Sequence, residues 1–186
     1  AKELAEVKTA AADDSKPRKD YAHPEVPALP EGPAVERRGS IILVAFEGIV
    51  NPGMGDHVIA AIERAEQEKA QFVLIELNTP GGLVSTTQRM VQAMLSSRVP
   101  VVVWVTPSGA HAASAGTFIT LAAHVAAMAP ATRIGAAHPV TSSGKDPEAA
   151  GGKHMAQKVE NDLMALVEGI ARERNRNAAW AKDAVK

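Results

Sequence analysis

The chain has no cysteine, so disulfides and thiol nucleophiles are excluded, and composition alone does not fix its redox compartment. Aromatic residues are scarce: two Trp, one Tyr and three Phe among 186 residues leave little with which to stack nucleic-acid bases. Positive charge is not in excess either. Twenty Lys plus Arg against 21 Asp plus Glu give a formal net charge of -1, which disfavours a nucleic-acid partner. No apolar run approaches the roughly 20 residues of a membrane-spanning helix, and the first residues carry no signal-type hydrophobic segment. The chain as given reads as a soluble piece, long enough for one domain with a sizeable core. Neither a metal nor a cofactor is expected.

What is present is alanine, aliphatics and strong punctuation. Residues 1–39 hold five of the twelve prolines (Pro17, Pro24, Pro27, Pro30, Pro33) among charges and alanines, and read as a flexible arm or linker that buries too little surface to offset its ordering entropy. The domain is expected over residues 40–186. Ile41 to Phe46 is a continuous apolar run of strand length, expected to be buried. Asn51-Pro52-Gly53 then opens a helix marked by Val58, Ile59, Ile62 and Ala65. The same unit recurs with Phe72 to Leu77, the break Asn78-Thr79-Pro80-Gly81-Gly82, and a helix through Met90, Val91, Met94 and Leu95. A third pass runs from Val99 to Val105 into a helix ending near His124. Short strands near Val125 to Met128 and Arg133 to Ala136 close the sheet. Alternation of strands and helices favours parallel pairing and the α/β class. A mobile loop is expected at 141–152. Met155, Val159, Leu163, Leu166, Val167 and Ile170 then mark a long amphipathic helix from Lys153 to about Arg174, and the last nine residues open a further helix that the chain does not complete, as in a truncation.

The centre of this pattern is Pro107 to Pro130. There Ser114 lies among small residues where a strand hands over to a helix, near unpaired N–H groups whose dipole favours developing negative charge. A nucleophilic serine in acyl transfer needs this placement, although serine also caps helices for purely structural reasons. The Ala115 N–H and the amides of Gly81 or Gly82, at the end of the neighbouring strand, can converge as an oxyanion hole. The residue pattern leaves the base open among His111, His124, His138, Lys145, Lys153 and Lys158. His111, in the turn, and His124 read as structural or surface histidines. Lys153 and Lys158 flank the apolar stripe of the long helix, and a lysine serves as base only where desolvation lets it lose its proton. Periodicity alone makes Lys158 a solvated partner of Asp162.

The segments NTPGG, GAHAASAGTFITLAAH, MAPATRIGAAHP and KVENDLMALVEGIARERNRNA together resemble the NfeD family of ClpP-like membrane-associated serine proteases. The resemblance covers most of the chain from Ser40 onward. It implies a ClpP/crotonase-like spiral of ββα units with a mostly parallel sheet, Ser114 as nucleophile and Lys158 as the lysine of a Ser-Lys dyad. It carries the oxyanion hole onto Gly81 or Gly82 and Ala115. In ClpP the histidine precedes the proline by two residues; that position here is Ala137, and His138 adjoins Pro139, a one-residue shift that reverses a strand side chain. The family's further membrane spans and small β-barrel domain have no counterpart in this chain, which is expected to be an isolated soluble domain on the extracytoplasmic side of a membrane-associated protein.

The expected function is that of a serine endopeptidase cleaving hydrophobic polypeptide segments, with a stomatin-like membrane protein as the implied partner or substrate. A homodimer or higher homo-oligomer is also expected. Two rivals belong to other classes. A crotonase-like acyl-CoA enzyme would use the paired amides without the serine, and a partner-binding scaffold would have lost catalysis.

Overall fold

The structure is a computed structural model, and it describes residues 39–139 and 152–186. The expectations for the arm, for the loop at 141–152 and for Lys145 lie outside the described residues, apart from Gly39 and Gly152. In chain order the elements are β1 (Ile41–Glu47), α1 (Pro52–Glu68), β2 (Phe72–Asn78), α2 (Val84–Ser96), β3 (Val101–Val105), β4 (His111–Ala113), α3 (Ala115–Ala122), β5 (Val125–Met128), β6 (Arg133–Gly135), α4 (Lys153–Glu173) and α5 (Ala178–Asp183).

The apolar runs form a four-stranded parallel sheet in the order β1-β2-β3-β5. The mixed α/β class with mostly parallel pairing is the one expected. Val44, Phe46, Val73, Ile75, Leu77, Val101, Val103 and Val105 alternate along the first three strands and lie on the buried face, as a period of two requires. The opposite face is open: Ile41, Leu43, Trp104 and Val125 are 48%, 56%, 37% and 54% exposed. The expectation of a buried first strand therefore holds for one face only, since a continuous apolar run does not tell whether both faces are covered.

The helices follow from their caps and stripes. Asn51 accepts a hydrogen bond from the Met54 N–H at 3.0 Å, Pro52 stands where a missing N–H costs nothing, and Val58, Ile62 and Ala65 bury one face of α1. Every residue of α3 is buried. The turn after α4 supplies two arginines to helix ends: Arg174 donates to Ala122 O (2.9 Å) and Met94 O (3.0 Å), and Arg176 to Leu121 O (3.0 Å) and Ala123 O (2.8 Å). Positive charge at these C-termini complements the helix dipoles of α2 and α3.

Three local expectations change. His111 lies in a strand, β4, rather than in a turn, and β6 pairs with it instead of closing the main sheet. Each is three residues long, too short to leave a periodic signature, and β4 is held by an isolated bridge from Thr79 to Ala112. The last residues complete a short helix, α5, capped by Asn177 Oδ1 on the Trp180 N–H at 3.0 Å. Among the described residues no helix is long and apolar enough to cross a membrane.

Candidate active site

Ser114 sits between β4 and α3 with φ 51° and ψ -114°, a left-handed φ that a non-glycine residue adopts only when its surroundings impose it. Those surroundings are specific. Its N–H donates to Gly135 O at 2.9 Å, and its carbonyl accepts from the Thr117 N–H at 2.9 Å. The buried Thr117 hydroxyl donates to Gly135 O at 2.9 Å and accepts from the Gly135 N–H at 3.1 Å. The backbone of β6 and the first turn of α3 thus hold Ser114 on both sides. Its side chain caps nothing, so the hydroxyl is left for other work.

The loop after β2 meets Ser114 from the opposite direction. Thr79, fully buried, ties this loop to β4 through Thr79 N to His111 O (2.7 Å) and Ala113 N to Thr79 O (3.0 Å). The two glycines have different duties. Gly81 has φ +123°, its amide donates to Thr79 Oγ1 at 3.1 Å, and a Cβ placed on it would lie 2.7 Å from Ser114 Cβ. Gly82 bridges Val50: Gly81 O accepts from Val50 N (2.8 Å) and Leu83 N donates to Val50 O (2.9 Å). Because the C=O and N–H of one peptide point in opposite directions, the Gly82 N–H faces away from Val50. A Cβ at Gly82 would lie 2.2 Å from Val50 O. Neither the Gly82 nor the Ala115 N–H has a backbone acceptor among the described residues, and both residues line one cavity with Ser114. Of the glycine pair, Gly82 is the one whose amide has no acceptor among the described residues, whereas the Gly81 amide is taken by Thr79 Oγ1.

That cavity has about 50 Å³ of room for the centre of a water molecule. Phe118, Leu163 and Leu166 supply apolar walls from α3 and α4, Ala137 and Pro139 close another side, and Thr87 and Gln88 of α2 complete it. Thr87 directs its hydroxyl to Leu83 O at 2.8 Å, which leaves its methyl for the cavity. Leu163 and Leu166 were legible as part of a helical stripe, but their role at a site was not, because the stripe does not say what it covers.

Among the described residues, no side chain lining the cavity is a base. Lys158 is exposed on α4, five residues before Leu163, which is about 7.5 Å of helical rise. Its pairing with Asp162 does not form among the described residues. The rings of His124 and His138 make contacts outside the cavity. His124 Nδ1 accepts from the Val101 N–H at 3.0 Å, and burial, followed by the Arg174 charge, holds its pKa below the ordinary histidine value. The His111 backbone N–H donates to Asn78 Oδ1 at 3.2 Å. His138 stands between two cavity-lining residues without lining the cavity itself, and its Nδ1 is 3.1 Å from Val185 O.

Residues 40–186 match the family described as NfeD1b, N-terminal domain. The chain is similar to the membrane-bound protease PH1510 of Pyrococcus horikoshii, with 38% identity over 148 residues, 77% of this chain and 32% of that protein. It is also similar to membrane protein NfeD1b of Bacillus subtilis, with 28% identity over 148 residues, 80% of this chain and 31% of that one. It thus spans about a third of the length of these curated relatives. Among solved structures it is similar to the 1510-N membrane-bound stomatin-specific protease in a lysine-to-alanine mutant bound to a substrate peptide. There the TM-score is 0.70 at 33% identity, over 81% of this chain and 67% of that one. A serine-to-alanine mutant of the same protease gives 0.69 at 35% identity, over 80% and 71%. The ClpP-like α/β architecture expected from the sequence is the one these protease structures share with it. With its family match running from Ser40 to Lys186, the chain belongs to the NfeD1b N-terminal domain family.

Proposed function

We propose that this chain is the protease domain of a membrane-associated serine endopeptidase that cleaves hydrophobic polypeptide segments, with a stomatin-like protein as its substrate. The observation that carries the reading is Ser114, held at positive φ at the start of α3, its hydroxyl free of capping, beside an apolar cavity with the unengaged Gly82 and Ala115 amides. Ser114 Oγ attacks the scissile carbonyl as its proton passes to a neutral base. The two amides receive the oxyanion, worth about 3 to 4 kcal/mol for a well-placed donor. The proton then goes to the leaving amine, and water releases the acyl group from Ser114. Lys158 is the proposed base. It reaches Ser114 when a bound apolar segment covers Met155 and Val159 beside it and excludes water from the lysine. The protease relatives with one serine or one lysine replaced agree in residue type with this dyad.

The apolar lining predicts apolar residues around the cut. The domain is proposed to stand on the extracytoplasmic side, attached through a region beyond this chain, and to act as a homodimer or higher homo-oligomer. The apolar face of the parallel sheet that no described residue covers supports self-association, since parallel sheets are normally covered on both faces. The deciding experiment is labelling with a serine-directed phosphonate followed by mass spectrometry, with peptide hydrolysis in parallel. Label should fall on Ser114, and Ser114→Ala should lose both label and hydrolysis while keeping its fold. Hydrolysis that survives in Ser114→Ala rejects the reading. That no base lines the cavity among the described residues is the observation that favours a non-catalytic scaffold, and partner binding without labelling would select it.

A further inference from the structure

We propose that His138 is a positioning residue that fixes the wall of the Ser114 cavity, acting through a hydrogen bond to the end of α5 and taking no part in proton transfer. The inference deepens the peptidase reading by assigning side-chain selectivity at that site. The segment after β6 is tied to the nucleophile at its start, since Gly135 O accepts from the Ser114 N–H. Ala137 and Pro139 are buried and line the cavity, whereas His138 between them is exposed and absent from the lining. Alternation along an extended segment sends it to the other side. There the Ala137 N–H donates to Ala184 O at 2.7 Å, and His138 Nδ1 lies 3.1 Å from Val185 O, 47 residues away in sequence.

A carbonyl oxygen only accepts, so Nδ1 must carry a proton in this contact. The neutral ring with its hydrogen on Nδ1 and the doubly protonated ring both meet that requirement, so the contact does not depend on the charge of His138. A base for Ser114 would have to reach the cavity, and His138 is not among the residues that line it. The anchor is itself firm, because Val185 and Ala181 are fully buried. The Ala137 amide holds the segment at one point; His138 adds a second, next to Pro139, whose ring limits how large a substrate side chain the cavity admits.

The test uses His138→Ala and His138→Asn, the latter because its Nδ2 takes the place of Nδ1 as donor. Rates of Ser114 labelling are compared for two phosphonates, one with a methyl and one with an isobutyl side chain. In His138→Ala the preference between the two should change by between about twofold and tenfold, the value of one net hydrogen bond. The methyl compound should react at the wild-type rate with an unchanged pH profile. His138→Asn should restore the wild-type preference. Loss of labelling by both compounds in both variants would overturn the proposal, because it would place His138 in the chemistry, and an unchanged preference in His138→Ala would overturn it as well. Amide exchange at Ala137 is read separately: it should speed up in His138→Ala and recover in His138→Asn. If wild-type Ser114 takes no label, the peptidase reading and the selectivity role fall together. The exchange result then decides whether His138 holds the wall, and no acceleration in His138→Ala rejects that too.

Discussion

Ser114 and Lys158 stand at opposite ends of preorganisation. The serine is fixed by a hydrogen bond donated to Gly135 O and one accepted from the Thr117 N–H, and by the close approach of Gly81, whereas the lysine is exposed and unpaired among the described residues. If Lys158 is the base, kcat/KM should rise with pH over a range above about 6.5, where a histidine base would already be neutral. Lys158→Arg should be inactive, since a guanidinium does not give up its proton at these pH values. Near-full activity in Lys158→Ala would transfer the role to another group, with Lys153 the next to replace. Ser114 was legible because a strand-to-helix junction among small residues is a local pattern. Gly82 was separable from Gly81 only in three dimensions, through the bridge to Val50, and the His138 contact to Val185 O joins residues 47 apart, which no local pattern encodes.

At the scale of elements, α3 is eight buried residues whose C-terminal carbonyls would be costly to leave without partners. Arg176 satisfies Leu121 O and Ala123 O through two nitrogens of one planar fork. Arg176→Lys keeps the charge and loses the fork, so at least one of these charge-assisted bonds goes, at a cost of about 1.5 to 3 kcal/mol. Urea unfolding should show a lower midpoint with unchanged slope. Arg64→Lys serves as the comparison, because Arg64 pairs with Glu68 on an exposed face of α1 and such pairs contribute little. Equal effects in the two variants would contradict the role given to Arg176. The long elements, β1 to β3 and α1, α2 and α4, were readable because apolar runs and helical stripes repeat over enough residues to show a period. β4 and β6 were not, since three-residue strands take their conformation from Thr79 and Thr117 rather than from their own composition.

For the molecule as a whole, His124 makes stability depend on pH. It joins the end of α3 to the start of β3 twice, with its N–H donating to Val101 O at 2.9 Å and its Nδ1 accepting from the Val101 N–H at 3.0 Å. The second bond requires an unprotonated Nδ1. Burial is the larger reason its folded pKa lies below 6.5, and the Arg174 guanidinium adds to it. Above 6.5 the ring is neutral in both folded and unfolded chains, and its contribution to stability is fully present. As pH falls from 6.5 through the depressed folded value, the unfolded chain takes up a proton that the folded chain resists, so stability declines across that window. Below it the folded ring is protonated as well and the bond to Val101 is lost, with no further dependence from this group. Arg174 also donates to Ala122 O and Met94 O, so the charge that opposes protonation of His124 belongs to the same clasp that holds α2 and α3. Unfolding free energies measured in urea at a series of pH values should therefore fall more steeply below 6.5 in the wild type than in His124→Asn. That variant should be less stable at neutral pH and show a flatter acid limb. Parallel curves for the two proteins across this range would mean that His124 does not couple the fold to protons.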